Sequence, residues 1–582
     1  MDNGELAKIL STLALYLELA GENSFKVRAF QNAAHLVEHS PFDLTTLAQQ
    51  NRLRELKGIG ASIEAIIKEI IATHTCLELE KLKEEIPSGL FELLSLPGLG
   101  PKKVRALWQE LGITSVEDLQ HVCQQNLVAQ LAGFGSKTQQ KILEAIDFYK
   151  QNANLFLYPV AQGLALDMQS KLLATGLFQK IEIAGSLRRG KEIVKDADIL
   201  VIPKASANPA QIAEAISALA IKNESPTEIS GKGPTKISLS YQGLPTDFRI
   251  IPPRSFACAY QYFTGSKEHN TQLRSLAKKM GFKANEYALI KSTEEFFPQT
   301  EEELYQLLGL AFIPPELREG DGEIEAALQN SLPKLISAPE VKGLFHVHTT
   351  YSDGVMSLEE LVEASLERGY QFLGISDHSV SAHYASGLSV ERLKEQAVAI
   401  KDLNSKYAPF KIFHGVEADI LSDGSLDYPE EVLAELDFVI GSIHSKLTMS
   451  KEEATQRLLK AVKNKWLTIL GHPSGRLLLT RPGYEYDPQA LLEAIKANQT
   501  ILEHNCHPAR FDADWRLLKR AGQLGCLIVL SPDLHGPEGF THLELGLTMA
   551  RKAWLKANSV INTWTVEEIN AYFTERKARA MS

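Results

Sequence analysis

The chain has 582 residues, too many for one hydrophobic core, so roughly two to five domains are expected. Its 44% hydrophobic and 23% charged content is that of a globular protein, and no apolar run is long enough to span a bilayer. The net charge of −11 does not announce nucleic acid, nor does it exclude it, because clustered acidic ligands and an acidic domain mask a local basic groove. The start, MDNGELAKIL, is amphipathic and lacks the basic head and apolar core of a signal peptide. A cytoplasmic monomer is the expectation. Cys76, Cys123, Cys258, Cys506 and Cys526 form no C-x-x-C pair, which argues against a disulfide framework and a zinc finger and for small buried apolar side chains.

Residues 1 to about 150 read as helices, with Leu6, Ile9, Leu10, Leu13 and Leu17 at helical spacing. Three segments resemble one another: Leu56-Lys-Gly-Ile-Gly60, Leu96-Pro-Gly-Leu-Gly100 and Leu131-Ala-Gly-Phe-Gly135. The paired glycines, Gly58 and Gly60, Gly98 and Gly100, Gly133 and Gly135, allow a tight turn before a new helix. The free N–H groups of that helix suit an anion, and a DNA phosphate is one that carries no sequence information. The first segment lies in a helical domain over 1–80, the other two in a helical DNA-binding subdomain over 81–153. Residues 154–256 alternate short β-branched runs with helical ones and read as a mixed α/β domain. Residues 257–315 form a mostly helical piece, and 316–341, with Pro333, Pro339, glycines and charges, reads as a linker containing one helix. Over 342–575, strand-like runs ending in His or Asp alternate with helices, as in a βα barrel, where reactive groups gather at the C-terminal strand ends.

Two clusters carry chemistry. In the α/β domain, Gly185-Ser-Leu-Arg-Arg-Gly190 precedes Asp196-Ala-Asp198. Residues i and i+2 of a strand share a face, so Asp196 and Asp198 present two carboxylates together, with Asp247 as a third from a neighbouring strand. Such crowding needs hard divalent cations, and a two-metal site activates a hydroxyl and neutralises the leaving oxygens. These residues, with Tyr262-Phe-Thr-Gly-Ser266, Asn270, Arg274 and Asn285-Glu-Tyr287, resemble the nucleotidyltransferase signature of family X DNA polymerases, which include DNA polymerase beta. The resemblance implies a palm over 154–256 and a nucleotide-selection subdomain over 257–315. It implies that Asp196, Asp198 and Asp247 are catalytic and bind two Mg²⁺ or Mn²⁺, and that Gly185, Ser186 and Arg189 hold the triphosphate. It further implies that Tyr262, Phe263 and Gly265 lie at the sugar, that Asn270 reaches the incoming base, and that Arg274 reaches the template. The glycine pairs resemble helix-hairpin-helix motifs. Two departures from the pattern are Lys195, where polymerase beta has a glycine, and Lys267, where it has an acid.

In the C-terminal third, His346-Val-His348 is an H-x-H on a strand, so both rings are expected on one face. Asp353, His378, Glu417, His444, His472, Asp533 and His535 follow, each at or after a strand-like run. Imidazole with carboxylate suits Zn²⁺, Mn²⁺ or Fe²⁺, and nine such groups imply two or three clustered ions. The order resembles the PHP (polymerase and histidinol phosphatase) phosphoesterase family, a distorted βα barrel, with every expected ligand position filled. His414, His504 and His507 fall outside the pattern; Arg476 and Arg510 are candidate phosphate contacts.

Together the resemblances span residues 5 to 570 and imply a multidomain fold: helical helix-hairpin-helix domains, an α/β palm and a C-terminal barrel. They imply a repair polymerase that fills short gaps in primer–template DNA with dNTPs, joined to a 3′→5′ exonuclease, 3′-end-processing or abasic-site endonuclease activity. The alternatives are a small-molecule or 3′-end phosphoesterase with an inactive polymerase half, and a non-enzymatic DNA-end scaffold. The N-terminal domain also resembles the family's lyase domain, but Ile66 and Ser62 replace its two lysines, and Lys68 is the nearby substitute. A Schiff-base lyase needs an amine nucleophile. No borohydride-trapped adduct with an abasic 5′-end is therefore expected; one mapped by mass spectrometry to residues 1–80 would overturn this.

Overall fold

The structure is a computed structural model. It describes residues 1–582 apart from His39, Pro41, Lys57 and residues 220–228, and apart from the side chains of Ile229, Ser230 and Lys232. Two compact units divide the chain, Met1–Ala153 and Asn154–Ser582.

The first unit is helical around one core that takes in Leu10, Phe30, Ile67, Leu79, Leu107 and Ile142. Its first helix, Asn3–Ala20, buries Leu6, Leu10, Leu13 and Leu17, is capped by Asp2 and ends at left-handed Gly21. Helix Leu77–Glu85, which runs across the expected division at residue 80, and helix Leu90–Leu94 both feed this core. Helices this short bury an apolar face only by sharing one.

The second unit begins with a five-stranded sheet: β1 (Phe178–Ile183), β2 (Ala197–Pro203), β3 (Ile229–Lys232), β4 (Lys236–Tyr241) and β5 (Leu244–Ile250), in the order β1-β2-β5-β4-β3. Only β2 and β5 pair in parallel. Ile199 and Val201 of β2 face a core built with helices Tyr158–Ala174 and Pro209–Ala218, while Leu200 faces Ala259 on the other side. Residues 257–313 form a second core around Leu273, Leu304 and Tyr305.

The segment expected as a linker, 316–341, is packed. Leu317, Ile324, Ala327 and Leu335 belong to that second core. Arg318 is wholly buried, donates to the Ile313 carbonyl and pairs with Glu301. Prolines and charges look solvated in a sequence, but here the charges meet partners inside the protein.

The barrel has seven parallel strands in sequential order: β6 (Gly343–Val347), β7 (Phe372–Ile375), β8 (Lys411–Asp419), β9 (Phe438–Ser442), β10 (Ile469–Leu470), β11 (Ile501–Asn505) and β12 (Ile528–Ser531). A parallel bridge between Val347 and Leu534 ties the last strand back to the first. Phe345, Phe372, Phe413 and Phe438 fill the interior near the N-terminal strand ends. Phe573, from the C-terminal helix Val566–Met581, completes this floor with its ring centroid 5.5 Å from Phe413 and 5.7 Å from Phe438. Gly374 makes room, since a Cβ there would lie 2.2 Å from Phe345. Among the described residues all five cysteines are buried and unpaired, and no helix is long and apolar enough to cross a membrane. Phe573→Ala is expected to destabilise the barrel by roughly 3–5 kcal/mol, the usual cost of emptying a buried aromatic site, read as a lowered thermal midpoint by calorimetry.

Candidate metal centres

In the palm, the parallel register sets Asp198 directly beside Asp247, and Asp196 precedes β2 by one residue. Gly185 opens the short helix Gly185–Arg188 at φ +63°, and a Cβ there would lie 2.5 Å from Asp198 Oδ2. Only glycine lets the backbone of this turn come this near the carboxylate. Burial pushes the Asp198 carboxyl up to about 6, and the like charges of Asp196 and Asp247 add to this. Asp247 is better compensated: Lys236 Nζ lies at 2.6 Å, Arg249 Nη2 at 3.4 Å, and Ser238 donates to it at 2.5 Å. With those cations present, Asp198 is still short of positive charge, a deficit that a divalent ion suits.

Of the residues expected at the nucleotide, Ser186 follows Gly185 in its turn and Phe263 is tied to the cluster through Arg249. Ser186 is half-buried in the turn after Gly185. Tyr262 and Phe263 are half-buried and meet edge to face at 5.2 Å, and the Arg249 guanidinium lies 4.8 Å over the Phe263 ring. Asn270 donates to the Tyr262 carbonyl at 2.7 Å and accepts from Gln261 at 2.8 Å, so its amide is fixed. Gly265 has φ +70°, and Arg274, Lys195 and Lys267 are exposed. Arg189 is mostly buried: Nη1 donates to the Thr264 carbonyl at 2.5 Å and Nε to Glu319 at 3.1 Å.

In the barrel, all nine expected ligands converge. Glu417 is the hub. Its Oε1 lies 3.3 Å from His346, 3.2 Å from His444 and 3.1 Å from His472, and its Oε2 lies 3.0 Å from His378. Asp533 Oδ1 lies 3.5 Å from His346 and 3.3 Å from His348, and Asp353 lies 3.4 Å from His535. Three overlapping groups have ligand atoms within 4.8 Å of one another: His348, Asp353, His378 and His535; His346, His348 and Asp533; His378, Glu417 and His444. Buried ring nitrogens of His346, His348, His378 and His472, and Glu417 Oε2, have no hydrogen-bond partner. Orphaned buried acceptors of this kind fit metal ligation.

The two rings of His346 and His348 do converge, 5.2 Å apart, but simple strand alternation does not bring them there. Leu344 and Val347 face the outer helices while Phe345 and His346 both face inward. The register slips between Leu344 and Val347, and His346 has φ +61°. This bulge sets a floor residue and a ligand side by side.

Three further acids were not expected. Glu503 holds His346 Nδ1 at 2.5 Å and the His472 N–H at 2.7 Å. Asp419 holds His444 Nδ1 at 2.5 Å. Asp377 accepts from the Thr349 N–H and hydroxyl and from Ser352, bracing the loop that carries Asp353. Such partners fix ring orientation and raise ligand basicity. Glu503 and Asp419 had a signal: both lie in strand-terminal runs of the same type, Asp419 on the Glu417 face. Arg476 is spent on the carbonyls of Arg510 and Phe511, whereas Arg510 lies 3.6 Å from Asp533. His504 is buried on the Ala513 carbonyl, His414 lies beside Gln396 and His507 packs on His542, so none joins the cluster.

In the hairpin motifs, Gly58, Gly98 and Gly133 have φ of +111°, +82° and +86°; Gly60 and Gly100 cap helices Ala61–Thr73 and Pro101–Leu111, and Gly135 opens Gly135–Asn152. The Lys57 of the first motif lies outside the described residues. Lys68 donates to Glu64 at 2.8 Å and to Asn51 at 2.7 Å.

Burial opposes charge on His346, His348, His444 and His535, yet carboxylates win at three of these rings. They hold His346 well above the usual histidine range and lift His444 to about 10 and His535 to about 9, while His348, buried among other rings, falls to about 3. At neutral pH the metal-free protein therefore holds protons on His346, His444 and His535 that a cation must displace. Titrating Mn²⁺ at pH 7 in buffers of different ionisation enthalpy is expected to show release of about three protons, with affinity falling as pH falls. A buffer-independent enthalpy would contradict it.

A family model described as "DNA polymerase beta thumb" matches residues 259–319, "Helix-hairpin-helix domain" 1–76, "SAM-like Helix-hairpin-helix tandem" 90–147 and "PHP domain" 345–507. A "Probable phosphatase" of Thermoanaerobacter sp. (strain X514) is 27% identical over 40% of this chain and 95% of its own length. A crystal structure of Leishmania infantum polymerase beta in a ternary complex matches 40% of this chain and 98% of its own at 20% identity, with a TM-score of 0.26, too low to carry an argument. The "DNA polymerase/3'-5' exonuclease PolX" of Bacillus subtilis (strain 168) is 38% identical over 98% of this chain and 99% of its own. With both signatures intact and similarity running end to end, this chain belongs to the family X DNA polymerases that carry a C-terminal PHP domain.

Proposed function

We propose that this chain is a DNA repair polymerase that fills short gaps, and that its barrel trims or repairs 3′-ends as a 3′→5′ exonuclease, 3′-end phosphoesterase or abasic-site endonuclease. The observation that carries the reading is the presence of two separate, complete clusters: the Asp196, Asp198 and Asp247 carboxylates, and the nine-ligand cage around Glu417.

In the palm, Asp196, Asp198 and Asp247 would hold two Mg²⁺ or Mn²⁺ ions, which would supply Lewis-acid stabilisation of phosphoryl transfer. Asp247 faces the primer 3′-hydroxyl and helps to draw off its proton. Ser186 and Arg189, with the Gly185 backbone, hold the β- and γ-phosphates by charge-assisted bonds. Tyr262, Phe263 and Gly265 lie along the sugar and disfavour a ribonucleotide; Asn270, fixed by Gln261, reads the minor-groove edge of the incoming base, and Arg274 meets the template strand. The hairpin glycines and the helices behind them hold DNA phosphates without regard to sequence. In the barrel, His346, His348, Asp353, His378, Glu417, His444, His472, Asp533 and His535 would hold two or three Zn²⁺, Mn²⁺ or Fe²⁺ ions, which would supply an activated water and neutralise phosphate charge. Glu503, Asp419 and Asp377 keep these ligands oriented, and Arg510 meets the phosphate.

The test is a primer–template with a one-nucleotide gap and a 5′-phosphate, with Mn²⁺ or Mg²⁺, with and without dNTPs. Asp198→Asn is expected to lower extension on the order of a thousandfold or more and to leave shortening intact; His348→Ala should do the reverse. Asp198→Asn should also raise the thermal midpoint of the metal-free protein above pH 6, because it removes a carboxylate whose ionised form the fold disfavours. Loss of both activities in either variant would overturn the two-centre reading.

A further inference from the structure

The expected linker is an acidic clasp. Glu316, Glu319 and Asp321 each pair with a basic residue of the barrel: Arg551 at 2.6 Å, Lys552, and Lys519 at 2.7 Å. Only the middle pair reaches a palm motif. The oxygen of Glu319 that meets Lys552 Nζ also accepts from Arg189 Nε at 3.1 Å, and Lys552 Nζ donates to the Arg189 carbonyl at 3.2 Å. Lys552 is 1% exposed. The next residue of the palm turn, Gly190, sits against the same helix, Gly539–Lys552: a Cβ on it would lie 2.3 Å from Thr548 Cγ2. Phe511 and Met549 of the barrel are wholly buried in the palm core, so this contact is a packed one.

We propose that Lys552 is a positioning residue for nucleotide binding in the palm: by sharing Glu319 with Arg189, it keeps the Arg189 guanidinium available to a triphosphate. This rests on the reading of Arg189 as a phosphate ligand. The charge count gives the reason. Arg189, Glu319 and Lys552 together carry one net positive charge. Without Lys552 the sum is zero, and the carboxylate turns wholly to Arg189, for which the bidentate fork is the strongest available pairing. In a site sheltered from water, one unit of charge near a polyanion weighs far more than it does at the surface. The helix that carries Lys552 begins four residues after the ligand His535, so the barrel contributes directly to the polymerase site.

The experiment is single-nucleotide insertion kinetics on the full chain, with the 3′→5′ exonuclease rate on the same DNA as a second readout. Lys552→Met is expected to raise the dNTP KM about tenfold with kcat changed by less than about twofold, the size of one charge-assisted contact made equally in ground and transition states. The exonuclease rate should stay unchanged. Lys552→Arg, which keeps the charge, should stay near wild type. Glu319→Gln added to Lys552→Met removes both opposing charges and should return KM to within about twofold of wild type. An unchanged KM in folded Lys552→Met, or a raised KM that Glu319→Gln fails to relieve, overturns the proposal; so does a parallel fall in kcat and exonuclease rate, the mark of a merely structural residue. Should Lys552→Met not fold, Glu319→Gln alone decides: freeing Arg189 should leave KM at or below wild type, and a rise overturns the idea. Arg189→Gln separates the premises. If it leaves KM unchanged, the reading of Arg189 fails; if it raises KM while Lys552→Met does not, only the role of Lys552 fails.

Discussion

Carboxylates brought together away from water are the constraint to which both chemical centres answer. Such a group is costly unless opposite charge is supplied, and the protein supplies it in two ways. In the palm, Lys236 and Arg249 lean on Asp247, but Asp198 is left with its carboxyl raised to about 6. In the barrel, Glu417 is ringed by His346, His378, His444 and His472, and burial would raise its carboxyl were the rings not there to hold it well below the usual range. The first centre is short of cations by design of its strands; the second has exchangeable protons standing where cations belong.

That constraint shapes the scaffolding. Among the described residues of the palm sheet, β2 and β5 alone pair in parallel, and it is the pairing that sets Asp198 beside Asp247. In the barrel, every strand contributes a ligand or a ligand's partner at its C-terminal end, as parallel barrels generally do. Stability comes from the opposite end, where five phenylalanine rings pack together. Separating the apolar floor from the polar mouth lets the mouth collect groups that would otherwise destabilise the fold.

Much of this was legible in the sequence because strand alternation and strand-end placement are short-range rules. Asp196, Asp198 and Asp247 and the nine candidate barrel ligands were reached from those rules, a sense of metal chemistry and the family resemblances together. What was not legible depended on tertiary packing. The bulge at His346 is invisible in H-x-H, which alternation alone already appeared to explain. Glu503 lay one residue from a histidine that drew attention, His504, yet the glutamate turns inward to His346 and the histidine outward to Ala513. The proline-rich, charged stretch 316–341 reads as solvated because a sequence does not reveal that Glu316, Glu319 and Asp321 have partners more than a hundred residues away.

Those partners bear on how the second unit is built. Charges buried between two packed domains contribute little net stability, because desolvation offsets their attraction, but they are strict about geometry: each must meet its own partner or stand uncompensated. Phe511 and Met549 supply the apolar part of the palm–barrel contact, and the Arg189–Glu319–Lys552 chain fixes its register. A shift of the barrel on the palm would strand Lys552 in an apolar setting and leave Glu319 to Arg189 alone. The palm turn and the barrel's candidate ligand cluster thus meet on one helix, its N-terminal end following His535 and its C-terminal end reaching the Arg189 carbonyl. The fusion of palm and barrel is in that sense a packing requirement and not merely a linkage of two activities.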